Sequence, residues 1–161
     1  MLRKPWQTTE KETRKLSSNL ISVLPFFVYG TLKPGLRYHP LAHQAGAFTQ
    51  EESTLDGFDL YHLEPENYPA LVRGQGRVHG WRYTFENVEA AFEVLDRLEG
   101  LHLTPPEYER VQAVSQPGDV AVWVYLYCDL GRLEQPSATL VPSGVWTPSR
   151  TPEPKAPRSM M

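Results

Sequence analysis

The apolar positions of this chain change their period several times, and each change marks an element. Phe26-Phe27-Val28-Tyr29 opens a short run, Phe26 to Thr31, that ends at the turn Lys33-Pro34-Gly35 and predicts a first core strand. Residues 55–63 carry Leu55, Phe58, Leu60, Tyr61 and Leu63, with Gly57 as a bulge or kink. From Arg77 to Tyr83, the positions Val78, Gly80 and Arg82 alternate with His79, Trp81 and Tyr83. From Tyr108 to Val114, the set Tyr108, Arg110, Gln112 and Val114 alternates with Glu109, Val111 and Ala113. Val120 to Tyr127 is nearly continuous in apolar residues, the mark of a strand buried on both faces. Only one segment has a helical period: Val88, Ala91, Phe92, Leu95 and Leu98 share one face, Asn87 can cap the start, and Gly100 supplies a left-handed stop. Several strands and one helix predict an α+β domain, whose sheet would protect its edges by curving or closing.

The ends have no such pattern. Residues 1–24 are polar and aperiodic and are read as an N-terminal extension. The domain itself spans 25–130, and a Pro-rich C-terminal tail runs over 131–161. Proline lacks an amide donor and fixes φ, so that tail is expected to make neither regular helix nor central strand. Leu140, Val141, Val145 and Trp146 would still favour its lying against the domain. Lys15 followed by Leu20-Ile21-Ser22-Val23-Leu24 loosely imitates a secretion signal. However, Pro25 interrupts the run and Ala45-Gly46-Ala47 lies too far downstream for cleavage, so a cytoplasmic location is expected.

Composition narrows the function. The 161 residues include a single cysteine, Cys128, which excludes an intrachain disulfide and a Cys-rich zinc module. No stretch approaches the ~20 apolar residues of a membrane-spanning helix. Net charge is +3 over residues 1–24, −8 over 25–130 and +2 over 131–161. So acidic a body would repel a phosphate backbone, which argues against nucleic acid as the main partner. A monomer acting on a small molecule is the default expectation.

Two features suggest chemistry. Tyr29-Gly30-Thr31-Leu32-Lys33-Pro34-Gly35 runs from a strand into a Gly-rich turn, whose consecutive amides can cradle a carboxylate or phosphate; an ordinary strand-ending turn is the plainer alternative. Glu99 follows Leu98 at the apolar edge of the helix and meets the negative end of its dipole. If buried, its carboxyl group would titrate higher than usual, as suits a general base near neutrality; a solvated last-turn glutamate is the alternative. Asp96, Glu93 and Glu89 are assigned to the exposed face. His39 and His43 have a metal-ligand spacing but no evident third ligand. Gly74-Gln75-Gly76 leads into a strand and is read as a turn, not a dinucleotide fingerprint. Cys128 is read as packing rather than as a nucleophile. There is no Gly-x-Ser-x-Gly elbow and no phosphate loop.

Taken in order, several motifs resemble the γ-glutamylcyclotransferase-like family. These are Tyr29-Gly30-Thr31-Leu32, Tyr68-Pro69-Ala70-Leu71-Val72, Val78-His79-Gly80, Leu95-Asp96-Arg97-Leu98-Glu99-Gly100 and Tyr108-Glu109-Arg110 followed by Val111 and Val114. The resemblance covers roughly residues 26–128, and its most specific parts are the opening Tyr-Gly-Thr-Leu and the Leu-Asp-x-x-Glu-Gly element. It implies a small mixed β-barrel with flanking helices, and a 5-oxoproline-forming enzyme (a lyase or acyltransferase) acting on γ-glutamyl amides with no metal or organic cofactor. By the same resemblance, Tyr29, Gly30, Thr31 and Leu32 would hold the glutamyl α-carboxylate, Glu99 would be the catalytic acid/base, and Tyr108 would line the pocket. The segment His102-Leu103-Thr104-Pro105-Pro106 falls where the family varies. The alternative function is a non-catalytic domain on the same fold that binds a small ligand or a partner.

Overall fold

A computed structural model describes residues 24–149 of the chain. The N-terminal extension up to residue 23 and the end from residue 150 lie outside the described residues. Six strands are present: β1 (Phe26–Val28), β2 (Phe48–Leu63), β3 (Tyr68–Phe85), β4 (Tyr108–Gln116), β5 (Val120–Tyr127) and β6 (Ala138–Leu140). Two α-helices accompany them, a single turn α1 (His39–Ala42) and the longer α2 (Val88–Leu98), with 3-10 turns at His43–Ala45 and Leu130–Glu134.

Five strands close into a barrel. Their order is β3-β1-β5-β4-β2, and β2 pairs again with β3, while β6 adds to β2 outside the ring. The β1–β5 pairing is parallel and the others are antiparallel, so the barrel is mixed. The β4–β2 contact that closes the ring is short, joining Thr54 to Gln116 and Leu55 to Ser115. The mixed barrel with flanking helices is therefore the architecture that the resemblance implies.

The long β2–β3 hairpin carries most of this design, and both strands exceed their apolar pattern. β2 begins at Phe48 rather than near Leu55, because Thr49 to Glu52 pair with Thr84 to Trp81 although their side chains are exposed. β3 begins at Tyr68 and runs through Gly74-Gln75-Gly76, which is a bulge and not a turn. Asp56 pairs with Arg77 and Phe58 with Arg73, so three residues oppose Gly57 alone. The bulge is pinned by Asp59, whose Oδ1 accepts from the Gly76 amide at 3.1 Å; a Cβ at Gly74 would lie 2.2 Å from Asp59 Oδ2 and would push that carboxylate aside.

Inside the barrel an arginine replaces apolar filling. Arg82 is 4% exposed, and its guanidinium donates to Glu51 Oε1 at 2.8 Å, Ser115 Oγ at 3.2 Å and Pro117 O at 2.8 Å. Those bonds tie β3 to β2 and to the β4–β5 hairpin, and they satisfy a cation whose burial would otherwise be costly. The remaining core gathers Phe26, Phe27 and Val28 from β1 with Leu55, Leu60, Leu71, Val122, Val124 and Tyr125. Helix α2 packs outside the β1–β5 pair, where Phe92 meets Phe26 and Trp123 edge-on at 5.6 and 5.5 Å between ring centroids.

The C-terminal stretch belongs to this packing through Ser149. The sequence places a tail from residue 131, yet Ala138–Leu140 pair with Leu63–Tyr61 of β2, and Trp146 is fully buried. Indole Nε1 of Trp146 donates to His62 Nδ1 at 3.0 Å, and its carbonyl accepts from Lys33 Nζ at 2.7 Å. β6 is a short edge strand, a place where the neighbouring prolines cost no ladder bond.

Candidate active site

β1 stops at Val28 because the chain must turn at Gly30, and the turn is held by its own carbonyls. Gly30 O accepts from the Lys33 amide at 3.0 Å and Thr31 O from the Tyr38 amide at 3.2 Å. Leu32 O accepts from Tyr83 OH at 2.6 Å and contacts His39 Nδ1 at 2.9 Å. The segment from Tyr29 to Lys33 is thus fixed and inside: Tyr29 and Leu32 have no exposed surface, and Thr31 has 3%. Burial lowers the pKa of Lys33 below the usual lysine range.

Glu99 occupies the cap of α2. Asn87 starts the helix, its side chain accepting from the Ala90 amide at 3.0 Å. The end is a Schellman turn, with Leu101 N–H to Asp96 O at 3.1 Å and Gly100 N–H to Arg97 O at 3.2 Å, and Gly100 in the left-handed region at φ 73°. This stop turns Glu99 inward, so that a carboxyl side chain is 0% exposed. The Tyr29 phenol is raised well above its usual range, first by burial and then by the Glu99 charge; Tyr125 is raised by burial, by Asp96 and again by Glu99. Two predicted site residues, Tyr29 and Glu99, are therefore electrostatic neighbours. Tyr29 is also anchored, its hydroxyl donating to Tyr125 O at 2.7 Å.

Asp96 corrects the assignment of an exposed face. It lies one helical turn before Glu99, accepts from the Tyr125 hydroxyl, and pairs with the Arg110 guanidinium. Arg110 lies over the rings of Phe92 at 3.9 Å and Trp123 at 5.1 Å. The i, i+3 spacing of Asp96 and Glu99 was the available sequence signal, because it stacks the two residues along one side of the helix. Glu89 and Glu93 are exposed, as assigned.

Tyr108 is fully buried, and its hydroxyl donates to Pro69 O at 2.6 Å, joining β4 to the start of β3. Its connection to the helix stop runs through Glu107, whose amide donates to Gly100 O at 3.4 Å. The Glu107 side chain accepts from Tyr68 OH, a pairing that neither residue's apolar pattern signals.

Other sequence candidates resolve differently. His39 and His43 touch edge-on at 5.5 Å, and no group of three or more His, Cys, Asp and Glu side chains among the described residues could hold a metal. Cys128 is half-buried, its thiol raised by burial, with Sγ 3.9 Å from Leu126 O. Among the described residues no helix is long and apolar enough to cross a membrane. A groove of about 720 Å³ is lined by Lys33, Glu52, His79, Trp81 and Val145 among others; Lys33 links it to the Tyr29 loop, but Glu99 and Tyr108 are not part of its wall.

Comparison with known proteins identifies the family and the fold. The family model for γ-glutamyl cyclotransferase, AIG2-like, matches residues 26–148. The γ-glutamylcyclotransferase family protein ytfP of Citrobacter rodentium is 32% identical over 122 residues, which is 74% of this chain and 92% of that protein. The solution structure of protein ytfP from Escherichia coli is 28% identical with a TM-score of 0.55, covering 76% of this chain and 96% of that one. An aig2-like protein from Mus musculus shares the fold at 23% identity and a TM-score of 0.56, covering 81% of this chain and 98% of that one.

Proposed function

Because this chain belongs to the AIG2-like γ-glutamyl cyclotransferase family, we propose that it converts a γ-glutamyl amide to 5-oxoproline and a free amine, with Glu99 as the acid/base. The observation that carries the reading is a wholly buried glutamate at a helix end, within electrostatic reach of Tyr29 in the turn that follows β1. The backbone amides of Tyr29, Gly30, Thr31 and Leu32 hold the substrate's α-carboxylate, and the family resemblance assigns Tyr108 to the glutamyl site.

The chemistry needs only these groups. Glu99 takes a proton from the substrate's α-ammonium, and the freed nitrogen attacks the γ-carbonyl carbon. A new C–N bond closes the five-membered lactam, the original amide C–N bond breaks, and Glu99 returns its proton to the departing nitrogen. Attack is intramolecular, so holding the glutamyl chain folded supplies much of the rate; effective molarities of well-placed groups reach ~10⁵ M or more. Water exclusion around Glu99 strengthens its contact with the ammonium. No side-chain nucleophile, metal or organic cofactor is required, and the reading is of a monomer working on small molecules in the cytoplasm.

The test is release of 5-oxoproline from a panel of γ-glutamyl amides, with Glu99→Gln alongside. The expected result is turnover by the native chain and a loss of ~10²-fold or more in the variant, with unchanged circular dichroism. Full activity in Glu99→Gln would remove the mechanism. Silence across the panel from folded protein would favour the non-catalytic binding domain instead.

A further inference from the structure

The strap of residues 141–149, which returns over the barrel after β6, is held to β2 through an imidazole. Trp146 is fully buried, and its indole lies 26° from parallel with the His62 ring at 6.1 Å between centroids. Nε1 of the indole donates to His62 Nδ1 at 3.0 Å. Further bonds flank this contact: Val141 N–H to Leu60 O, His79 N–H to Gly144 O and Ser149 N–H to Asn67 Oδ1, each at 2.8 Å. The His62 side chain keeps 14% exposure, so protons reach it from solvent.

Hydrogen-bond chemistry fixes the protonation state in which the indole contact exists. An indole N–H only donates, so Nδ1 must offer a lone pair. The proton of the neutral ring therefore sits on Nε2, which donates to Glu64 Oε1 at 2.7 Å. This orientation matches both ring nitrogens, whereas turning the ring over would set carbons against both partners. An imidazolium carries a hydrogen on each nitrogen. In that form Nδ1–H and the indole N–H point at each other across 3.0 Å, and the bond becomes a repulsion.

The other groups around His62 do not replace that lone pair. Its strand partners are Pro69 on β3 and Thr139 on β6, neither of which titrates. Glu64, which also receives the Ser149 hydroxyl, accepts from Nε2–H whether or not Nδ1 is protonated, so only the indole distinguishes the two forms. The neighbouring cations are engaged elsewhere. Arg132 binds Glu66 at 2.8 and 3.1 Å and Glu64 O at 2.6 Å, and Lys33 Nζ donates to Trp146 O at 2.7 Å.

That last bond carries the strap to the candidate site. Lys33 ends the turn that begins at Tyr29, and its amide donates to Gly30 O at 3.0 Å. Its side chain is buried, so the ammonium depends on such a partner. The geometry points to a pH-sensitive latch: neutral His62 seats Trp146 and, through the Trp146 carbonyl, fixes Lys33 at the end of the Tyr29 turn, and protonation of His62 releases both. The latch stands whatever the protein turns over. Its effect on turnover, a weaker hold on the glutamyl group in acid, rests on the cyclotransferase reading above.

NMR of the full chain, labelled with nitrogen-15, tests the latch between about pH 5 and 8, where imidazole titrates. At the upper end His62 is expected as the Nε2–H tautomer, with the Trp146 indole hydrogen protected from exchange. That protection, corrected for the intrinsic pH dependence of exchange, should fall about tenfold as His62 protonates, the worth of a hydrogen bond lost. His62→Asn keeps an acceptor where Nδ1 stands and cannot titrate, so its protection should be flat. Trp146→Phe keeps a ring without the donor, and its Ser149 amide should lose the pH step seen in the native chain. A neutral His62 protonated on Nδ1, or a step that persists in His62→Asn, would overturn the latch. None of these readings needs turnover, so a chain inactive on γ-glutamyl amides but showing the step would refute the cyclotransferase and keep the latch. In an active chain KM should rise through the same step and stay flat in His62→Asn; an equal rise in both would break the link to the Tyr29 turn.

Discussion

Asp96 shows how much one carboxylate can organise one helical turn from the proposed acid/base Glu99. It joins α2 to β5 through Tyr125 and to β4 through Arg110, and Tyr125 in turn accepts from Tyr29 at its carbonyl. Replacing Asp96 by Ala strands a buried phenol and an arginine already stacked on two rings. The expected loss is about 1–3 kcal/mol in denaturant unfolding, with turnover falling more than stability alone explains because Tyr29 and Glu99 lose their shared frame. Retention of both native stability and native turnover in Asp96→Ala would contradict this. Glu99 itself was legible in the sequence through its place between an apolar helix face and a terminating glycine. The partners of Glu107 were not, because Tyr68 and the Gly100 turn meet its side chain only in the folded chain.

At the scale of the element, the stop of α2 is the feature on which the site depends. Gly100 sits at φ 73°, where a side chain is strained, and a Cβ would also press on Leu103 Cδ1 at 3.0 Å and Glu107 Cβ at 3.2 Å. Gly100→Ala is therefore expected to cost about 1–2 kcal/mol from backbone conformation, more with the crowding, and to displace Glu99. Asn87→Ala, at the other end, removes one cap bond for about 1 kcal/mol and should leave kcat unchanged. Comparing the two variants by thermal melting and by kcat separates helix stability from helix-end geometry. Equal effects on kcat would show that the stop has no special role. Both caps could be read from the sequence, since capping is a local matter of side-chain oxygen and left-handed backbone. The extent of β2 and β3 could not, because Thr49 to Glu52 are strand only by virtue of the partner strand across from them.

The whole molecule is a barrel closed by long-range pairs and locked by a returning strap. Trp146, buried without exposure and bonded to His62 and Lys33, holds residues far apart in the chain. Trp146→Ala should cost about 3–5 kcal/mol through lost packing and a cavity; a change near zero would mean that the strap lies on the barrel without supporting it. Alkaline stability follows from the tyrosines. Burial raises Tyr29, Tyr68, Tyr83 and Tyr125 above the value near 10 of an unfolded phenol. The unfolded chain therefore releases protons first, and the stability these groups confer is complete below about pH 10 and is lost as pH rises towards their folded values. Lys33, lowered by burial, acts in the opposite sense, but it is one group against several. Denaturation midpoints measured between about pH 9 and 11 should fall, and a flat profile would contradict the burial of these phenols. By itself the sequence determined the helix, its two caps, the turn after β1 and the strand periods around Tyr108 and Val120, because these depend on neighbours a few residues away. It also carried the motifs by which the family is recognised. Only the tertiary structure decided barrel closure, the bulge at Gly74-Gln75-Gly76, the burial of Glu99 and Arg82, the pairing of Tyr68 with Glu107, and the return of Trp146 into the core. Each of those depends on residues distant in sequence meeting in space, and a local hydrophobic period holds no record of such a meeting.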